Sequence, residues 1–286
     1  VGIPHRCIGV SLKYLILCRV NIPMETSMEN LYPFFAVALL VFLFVFLEIG
    51  RRLGLAKLKR GEDDLDKGNS TVETAIFAIF GLLLAFTFYG AADRFLHRRD
   101  FVVLEVNAIG TAYLRLDLLD RQAQEELRPL FRSYVQSRID LYKNISAGDE
   151  AVSAGLKESA SLQQKIWEVA VHSSSRAASP AVMSLVLPPI NEMIDITTTR
   201  LAATRTHPPL IIYALLVSFA LASALIAGYS MAIGKKRHWF HLLLFAFCIA
   251  GTIYVILDME SPRRGNIRVD EIDLHLVELL ESMRLN

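Results

Sequence analysis

The chain has 286 residues, 53% of them hydrophobic, and a mean hydropathy of +0.39. Its 30 basic and 29 acidic residues leave a net charge of +1, which excludes the basic excess or stripe of a nucleic-acid binder. Three cysteines without close spacing, Cys7, Cys18 and Cys248, exclude a disulfide framework.

Residues 1–30 read as an N-terminal leader. It begins with Val1, and Met24 and Met28 stand just ahead of the first apolar run. Its apolar centre, YLILC, is short for a signal peptide, and no small-x-small cleavage site follows. We read it as sequence ahead of the native start.

Four segments then meet the requirement for a membrane helix, about 17–25 mostly apolar residues. They are 31–50, 75–92, 209–234 and 239–257. The first two make a pair over 31–92, and the last two a pair over 209–258. The third carries Ser218, Ala220, Ala222, Ser223, Ala224, Ala227 and Gly228, small side chains that permit close helix approach in lipid. Gly81, Ala85 and Gly90 offer the second span the same possibility, and Cys248 reads as a small packing residue in the fourth. Between spans three and four, GKKRHWFH reads as a basic turn followed by an interfacial Trp239. His238 and His241 there lack a visible third metal ligand.

Residues 93–208 form an insert too long for a simple loop. With only Gly110 to interrupt it, the stretch 94–119 continues span two out of the membrane as one helix. A second helix over 120–145 has Asp120 as its N-cap and a rough stripe of Leu127, Leu130 or Phe131, Tyr134, Ile139, and Leu141 or Tyr142. A loop at 146–149 leads to a third helix, 151–172, and a fourth covers 181–205. Pro188 and Pro189 are expected to kink or restart that fourth helix. Residues 259–286 form an amphipathic tail, with Ile272, Leu276, Leu279 or Leu280, and Met283 on one side.

The fold class is therefore an all-α integral membrane protein, four transmembrane helices with a helical insert between the second and third. An even number of spans puts both termini and the insert on one side. Arg51, Arg52, Lys57, Lys59, Arg60, Lys67, Lys235, Lys236 and Arg237 lie in the short opposite loops, so the positive-inside rule places those loops in the cytoplasm.

Three clusters are candidates for a polar junction or lining. Asp93, Arg94 and Arg98 flank the membrane exit of span two. Asn107, Thr111 and Arg115 form a stripe beyond it, with Glu105 off that stripe. These residues read either as the lining of a pore or cavity or as interfacial anchors with helix-surface ion pairs. Asn191, Glu192 and Asp195 form the second cluster, a cation or acid–base site or else a solvated helix face. The third follows span four: Asp258 and Glu260 close the helix, Pro262 stops it, Gly265 permits a turn, and Arg263 and Arg264 meet headgroups or acids such as Asp93, Glu105, Glu192 or Asp195. No charge stands at the middle of a span, which argues against an ion-coupled pump. No P-loop, HExxH or GxSxG motif points to an enzyme. Nothing calls for a cofactor or a metal.

The segments ADRFLHRRDFVVLEVNAIGTAYLRLDLL, LPPINEMIDITTTRLAATR and LDMESPRRGNIRVD together resemble the bacterial bestrophin-like membrane proteins, from residue 31 to the C-terminus. EVNAIGTAYLR and the pattern DxxxPRRGxIRV are the most distinctive pieces. The resemblance implies kinship with bestrophins, pentameric anion channels with the same order of two spans, helical insert and two spans. It carries over no pore residue. It also implies an insert and termini in the cytoplasm, opposite to the charge balance of the loops. The implied setting is a multi-pass protein of the bacterial plasma (inner) membrane, with the lipid bilayer and copies of itself as partners and ions as possible cargo. Two functions fit: an oligomeric channel or transport protein, and a membrane-anchored structural, sensing or interaction protein.

Overall fold

The computed structural model describes residues 32–60, 69–145, 148–176, 179–232, 239–261, 263, 265–268 and 273–285. The leader, Leu31, residues 61–68 with Lys67, the basic stretch 233–238, Pro262, Arg264 and Ile272 lie outside the described residues. The described chain is helical, with no strand: α1 (Tyr32–Lys59), α2 (Asn69–Arg115), a 3-10 turn (Leu116–Leu118), α3 (Arg121–Lys143), α4 (Asp149–Arg176), α5 (Pro180–Arg205), α6 (Leu210–Ser230), α7 (Trp239–Glu260) and α8 (Leu274–Leu285).

Four helices are long and apolar enough to cross a membrane. α1 packs against α6 and α7, and the first half of α2 packs against α6 and α7. Their shared core includes Leu43, Leu47, Phe80, Leu216, Ala220, Ala224, Ile253 and Ile256. The tightest approach is the crossing of α1 and α6. A Cβ on Gly228 would lie 2.0 Å from the Leu47 carbonyl oxygen, and one on Gly50 would lie 1.9 Å from that of Leu225. Of the small residues of span three, Ala220, Ser223, Ala224 and Gly228 are buried against neighbouring helices as expected, Ala222 and Ala227 are half-buried, and Ser218 is exposed. Large apolar side chains such as Phe34, Phe86, Phe240 and Phe247 point away from the bundle, as lipid-facing residues do.

Three expectations need correction. Cys248 is exposed on the outside of α7, so it fills no gap within the chain. Gly81 and Ala85 also face outward: open space surrounds Gly81, and Gly90 meets only Arg94 of its own helix. Span two uses Phe80 and Ala91 for its contacts instead. Pro188 and Pro189 do not restart the fourth insert helix; α5 runs without interruption over 26 residues. The prolines remove two backbone donors, and burial of Val186, Ile190 and Met193 on either side outweighs that loss.

α2 is 47 residues long. At a rise of 1.5 Å per residue it measures about 70 Å, roughly twice the hydrocarbon thickness of a bilayer. Its outer half packs on α5 and α8, while α3 packs on α4 and α8 and α4 packs on α5. Together these elements enclose a second core, built on Ile109, Leu116, Leu127, Phe131, Tyr134, Ile166, Ile190 and Met193. Asp120 caps α3 as expected, accepting a hydrogen bond from the Ala123 amide at 2.8 Å. The tail helix α8 buries Leu276, Leu280 and Met283 in this core. The Tyr113 hydroxyl donates to the Met283 carbonyl at 3.2 Å, fixing the C-terminal end on the insert.

Candidate functional site

α2 leaves the membrane bundle with Arg94, Arg98 and Glu105 spaced 4 and 7 apart, which puts all three on one helix face. Each is drawn into an ionic cluster. In the first, the acceptor is Glu260, the last residue of α7 and 3% exposed. Arg94 donates to Glu260 Oε1 from Nε at 2.9 Å and from Nη2 at 2.5 Å. Arg98 Nη2 lies 3.5 Å from Oε2, and His207 Nδ1 lies 3.3 Å from the same oxygen.

Arg98 also satisfies backbone. It donates to the carbonyls of Ala203 (3.2 Å) and Thr206 (3.0 Å) at the end of α5, and to those of Met259 (3.4 Å) and Glu260 (3.2 Å) at the end of α7. Helix C-termini leave carbonyls without intrahelical donors, and a guanidinium there satisfies both the hydrogen bonds and the helix dipole. One side chain thus ties the ends of two helices to a third.

Beyond α7 the chain turns back on Asp258. Its Oδ1 accepts from the Asn266 amide at 2.9 Å, and its Oδ2 from the Ile267 amide at 2.7 Å. Gly265 is required by close approach: a Cβ there would stand 2.7 Å from Asp258 Oδ1 and 2.9 Å from the Asp258 carbonyl. The segment then reaches Asp273, in the second cluster.

That cluster centres on Glu105, which is fully buried. Arg138 of α3 donates from Nε to Oε1 at 2.6 Å, Arg200 of α5 donates to Oε2, and the Tyr142 hydroxyl donates to Oε2 at 3.2 Å. Arg200 also donates to Asp273 Oδ1 at 3.2 Å, and Arg263 holds both oxygens of Asp273, Oδ1 at 3.1 Å. Three guanidiniums flank the Tyr142 ring, with Cζ–centroid distances of 3.7 Å for Arg200 and 4.9 Å for both Arg138 and Arg263. Burial alone would raise the Glu105 carboxyl. Arg138 and Arg200 outweigh it and hold the group at about 2. Burial pushes the Tyr142 hydroxyl up to about 12, against the pull of Arg138. Glu105 therefore stays ionised near neutral pH with guanidiniums on both oxygens. That suits it to tying α2 to α3 and α5 and leaves it no proton to exchange.

The candidates identified from sequence separate into two groups. Arg94 and Arg98 join the first cluster, Asp258 shapes the turn, and Glu105 and Arg263 join the second. Arg263 meets Asp273 rather than Asp93, Glu105, Glu192 or Asp195, because the turn carries it back toward the insert core. Asp93 is partly exposed and pairs with His97 at 3.7 Å. Asn191, Glu192 and Asp195 are exposed on α5, with Asn191 donating to Asp195 at 2.6 Å. Asn107 and Thr111 are exposed as well, on the side of α2 away from Glu105. A groove of about 380 Å³ between α2 and α8 runs beside Asn107, with Val103 and Leu279 in its walls. Arg264 lies outside the described residues. Sequence reasoning missed Arg138, Arg200, His207 and Asp273 as site residues, and read Tyr142 only as a member of the apolar stripe of α3. The available signal was a charge in apolar phase: Arg138 lies among the buried Tyr134, Val135, Ile139 and Leu141, and Arg200 lies seven residues after Met193. Among the described residues, no group of three or more His, Cys, Asp or Glu is placed to hold a metal.

No curated protein matches the chain. Two crystal structures of point variants of a bacterial bestrophin homologue from Klebsiella pneumoniae share its fold. One aligns with a TM-score of 0.62 at 11% identity, covering 85% of this chain and 97% of its own. The other has a TM-score of 0.60 at 11% identity and covers 84% and 98%. A crystal structure of a membrane protein aligns at 0.55 and 12% identity, over 85% and 98%. The sequence profile of the bestrophin-like domain matches residues 34–274, nearly the whole described chain, and the protein belongs to that bestrophin-like family.

Proposed function

We propose that the chain is one subunit of a homo-oligomeric channel or transport protein of the bacterial inner membrane, with α2 lining the passage. The observation that carries this reading is the uncovered face of α2. It begins among lipid-level residues such as Leu82, Phe86 and Tyr89 and continues past the bilayer through Leu96, Val103, Asn107, Thr111 and Leu114, all exposed. Lipid can cover only the first part. Beyond it, an apolar face with interleaved polar side chains calls for other protein or a water-filled passage. Kinship with bestrophins, which are pentameric anion channels, supports the same reading. In it Asn107 and Thr111 line the passage, and the ionic clusters on the opposite face of α2 hold that lining in place.

A second reading, a membrane-anchored structural or sensing protein, is favoured by one observation: the insert has its own apolar core, distinct from that of the spans. Purified protein in liposomes separates the two. The channel reading predicts a discrete oligomer that passes chloride or sodium. Thr111→Trp, at an exposed site, should cut the flux by about tenfold or more with oligomer size unchanged. A monodisperse oligomer that passes neither ion, or a monomer, overturns it and leaves the anchored reading.

A further inference from the structure

Arg94 follows directly on the second apolar segment, where the outer surface of α2 changes from Phe86 and Tyr89 to Asp93 and His97. Helical side chains lean toward the helix N-terminus, and the Arg94 guanidinium lies back over Gly90, toward the bilayer. A Cβ on Gly90 would stand 3.2 Å from Arg94 Nη1. Nε and Nη2 are engaged by Glu260 Oε1. Nη1 carries two N–H donors and gives neither to a protein atom among the described residues, and the side chain stays 27% exposed. Glycine at position 90 is what leaves this edge of the fork uncovered.

The charge around it is uneven. Among the described residues, Arg94 and Arg98 pair with one carboxylate, that of Glu260. The backbone carbonyls that Arg98 also takes carry only partial charge. Asp93, the adjacent acid, is paired with His97 on the outer surface. We propose that Arg94, through the opening at Gly90, binds a singly charged phosphate group, borne by a lipid headgroup or free in solution. Arginine's planar fork matches phosphate oxygens, and bonds between ionised partners are roughly twice as strong as neutral ones. The depth is right for a headgroup: Tyr89, one residue before Gly90 and exposed, is of the type that sits at the membrane–water boundary. The bound phosphate supplies the second negative charge at the junction of α2 and α7.

The site does not depend on whether α2 lines a passage, and its test is a binding measurement. Full-length protein in mild detergent is titrated with phosphatidylglycerol, with a diacylglycerol of the same acyl chains, and with inorganic phosphate at constant ionic strength. Lipid binding is read by native mass spectrometry and phosphate binding by melting temperature. Gly90→Leu covers Nη1 and keeps both arginines and Glu260; it should weaken phosphate-group binding about tenfold, and the smaller cover of Gly90→Ala about threefold. Arg99→Gln removes an exposed cation of the same helix and should change nothing. A headgroup site shows phosphatidylglycerol bound more tightly than diacylglycerol, with that preference lost in Gly90→Leu. A site for soluble phosphate shows a phosphate-dependent rise in melting temperature that Gly90→Leu lacks, with no preference between the lipids. Wild type that answers to neither probe overturns the proposal. So does a response that both Gly90 variants retain in full. Gly90→Ala keeps the test decisive where the larger side chain prevents folding.

Discussion

Glu105 is the residue on which the insert's electrostatics turn. A carboxylate taken fully out of water costs several kcal/mol in desolvation, and two guanidiniums and a phenol offset that cost only while all are present. Glu105→Gln keeps the shape and removes the charge, leaving Arg138 and Arg200 buried without their shared anion. It should destabilise the insert by about 3–5 kcal/mol in denaturant titrations near pH 7. The pH dependence follows from the depressed carboxyl. It sits at about 2 in the folded chain against an ordinary 4.5. Its contribution is complete above about 4.5 and is lost as pH falls toward 2. The gap between wild type and variant should therefore close across that window; a gap that stays constant to pH 2 would show that the charge is not what matters. The sequence marks Glu105 as lying off the polar stripe of Asn107 and Thr111, and that is where the structure buries it. Its partners were not legible. Arg138 and Arg200 lie 33 and 95 positions away, and no local periodicity reports a contact at such separation.

At the scale of elements, the helices were readable because their signals are local: apolar runs for the spans, Asp120 as a cap, and an apolar phase in α3 and α8. The failures are also physical. Gly81 and Ala85 looked like packing residues by type alone, yet which face of a helix meets its neighbours depends on the whole bundle. Pro188 and Pro189 suggested a kink or a restart, yet α5 continues through them without restarting, with burial on both sides. The small-residue pattern of span three did succeed, because a backbone approach this close admits almost nothing larger. Gly228→Val tests it. Its Cβ would fall 2.0 Å from the Leu47 oxygen, and helix backbone cannot give way as a flexible side chain can. We expect loss of most folded protein after extraction in mild detergent, measured by size-exclusion yield. Ala222→Val, on the same helix at a half-buried position, should cost no more than about 1 kcal/mol. Equal yields for the two variants would mean that α1 and α6 are not clamped at this crossing.

For the whole molecule, the stretch from Asp258 to Asp273 is what makes the two clusters one system. It starts at the end of α7, where Glu260 gathers Arg94, Arg98 and His207. It turns on Asp258 and Gly265, and it ends at Asp273 between Arg200 and Arg263. α2 meets both ends through one face, so a displacement of α7 relative to α2 has a direct route to the seat of α8. Asp273→Asn tests whether that route carries force. It weakens the bonds from both arginines while leaving Leu276, Leu280 and Met283 in the insert core, so α8 should loosen without detaching. Losing charged hydrogen bonds of this kind costs about 1.5–3 kcal/mol, which corresponds to roughly tenfold or more faster amide exchange in residues 274–285. The spans should show no change, since their core shares no residue with that of the insert. Unchanged exchange in α8 would mean that apolar packing alone seats it, and that the two clusters do not communicate through the segment between them.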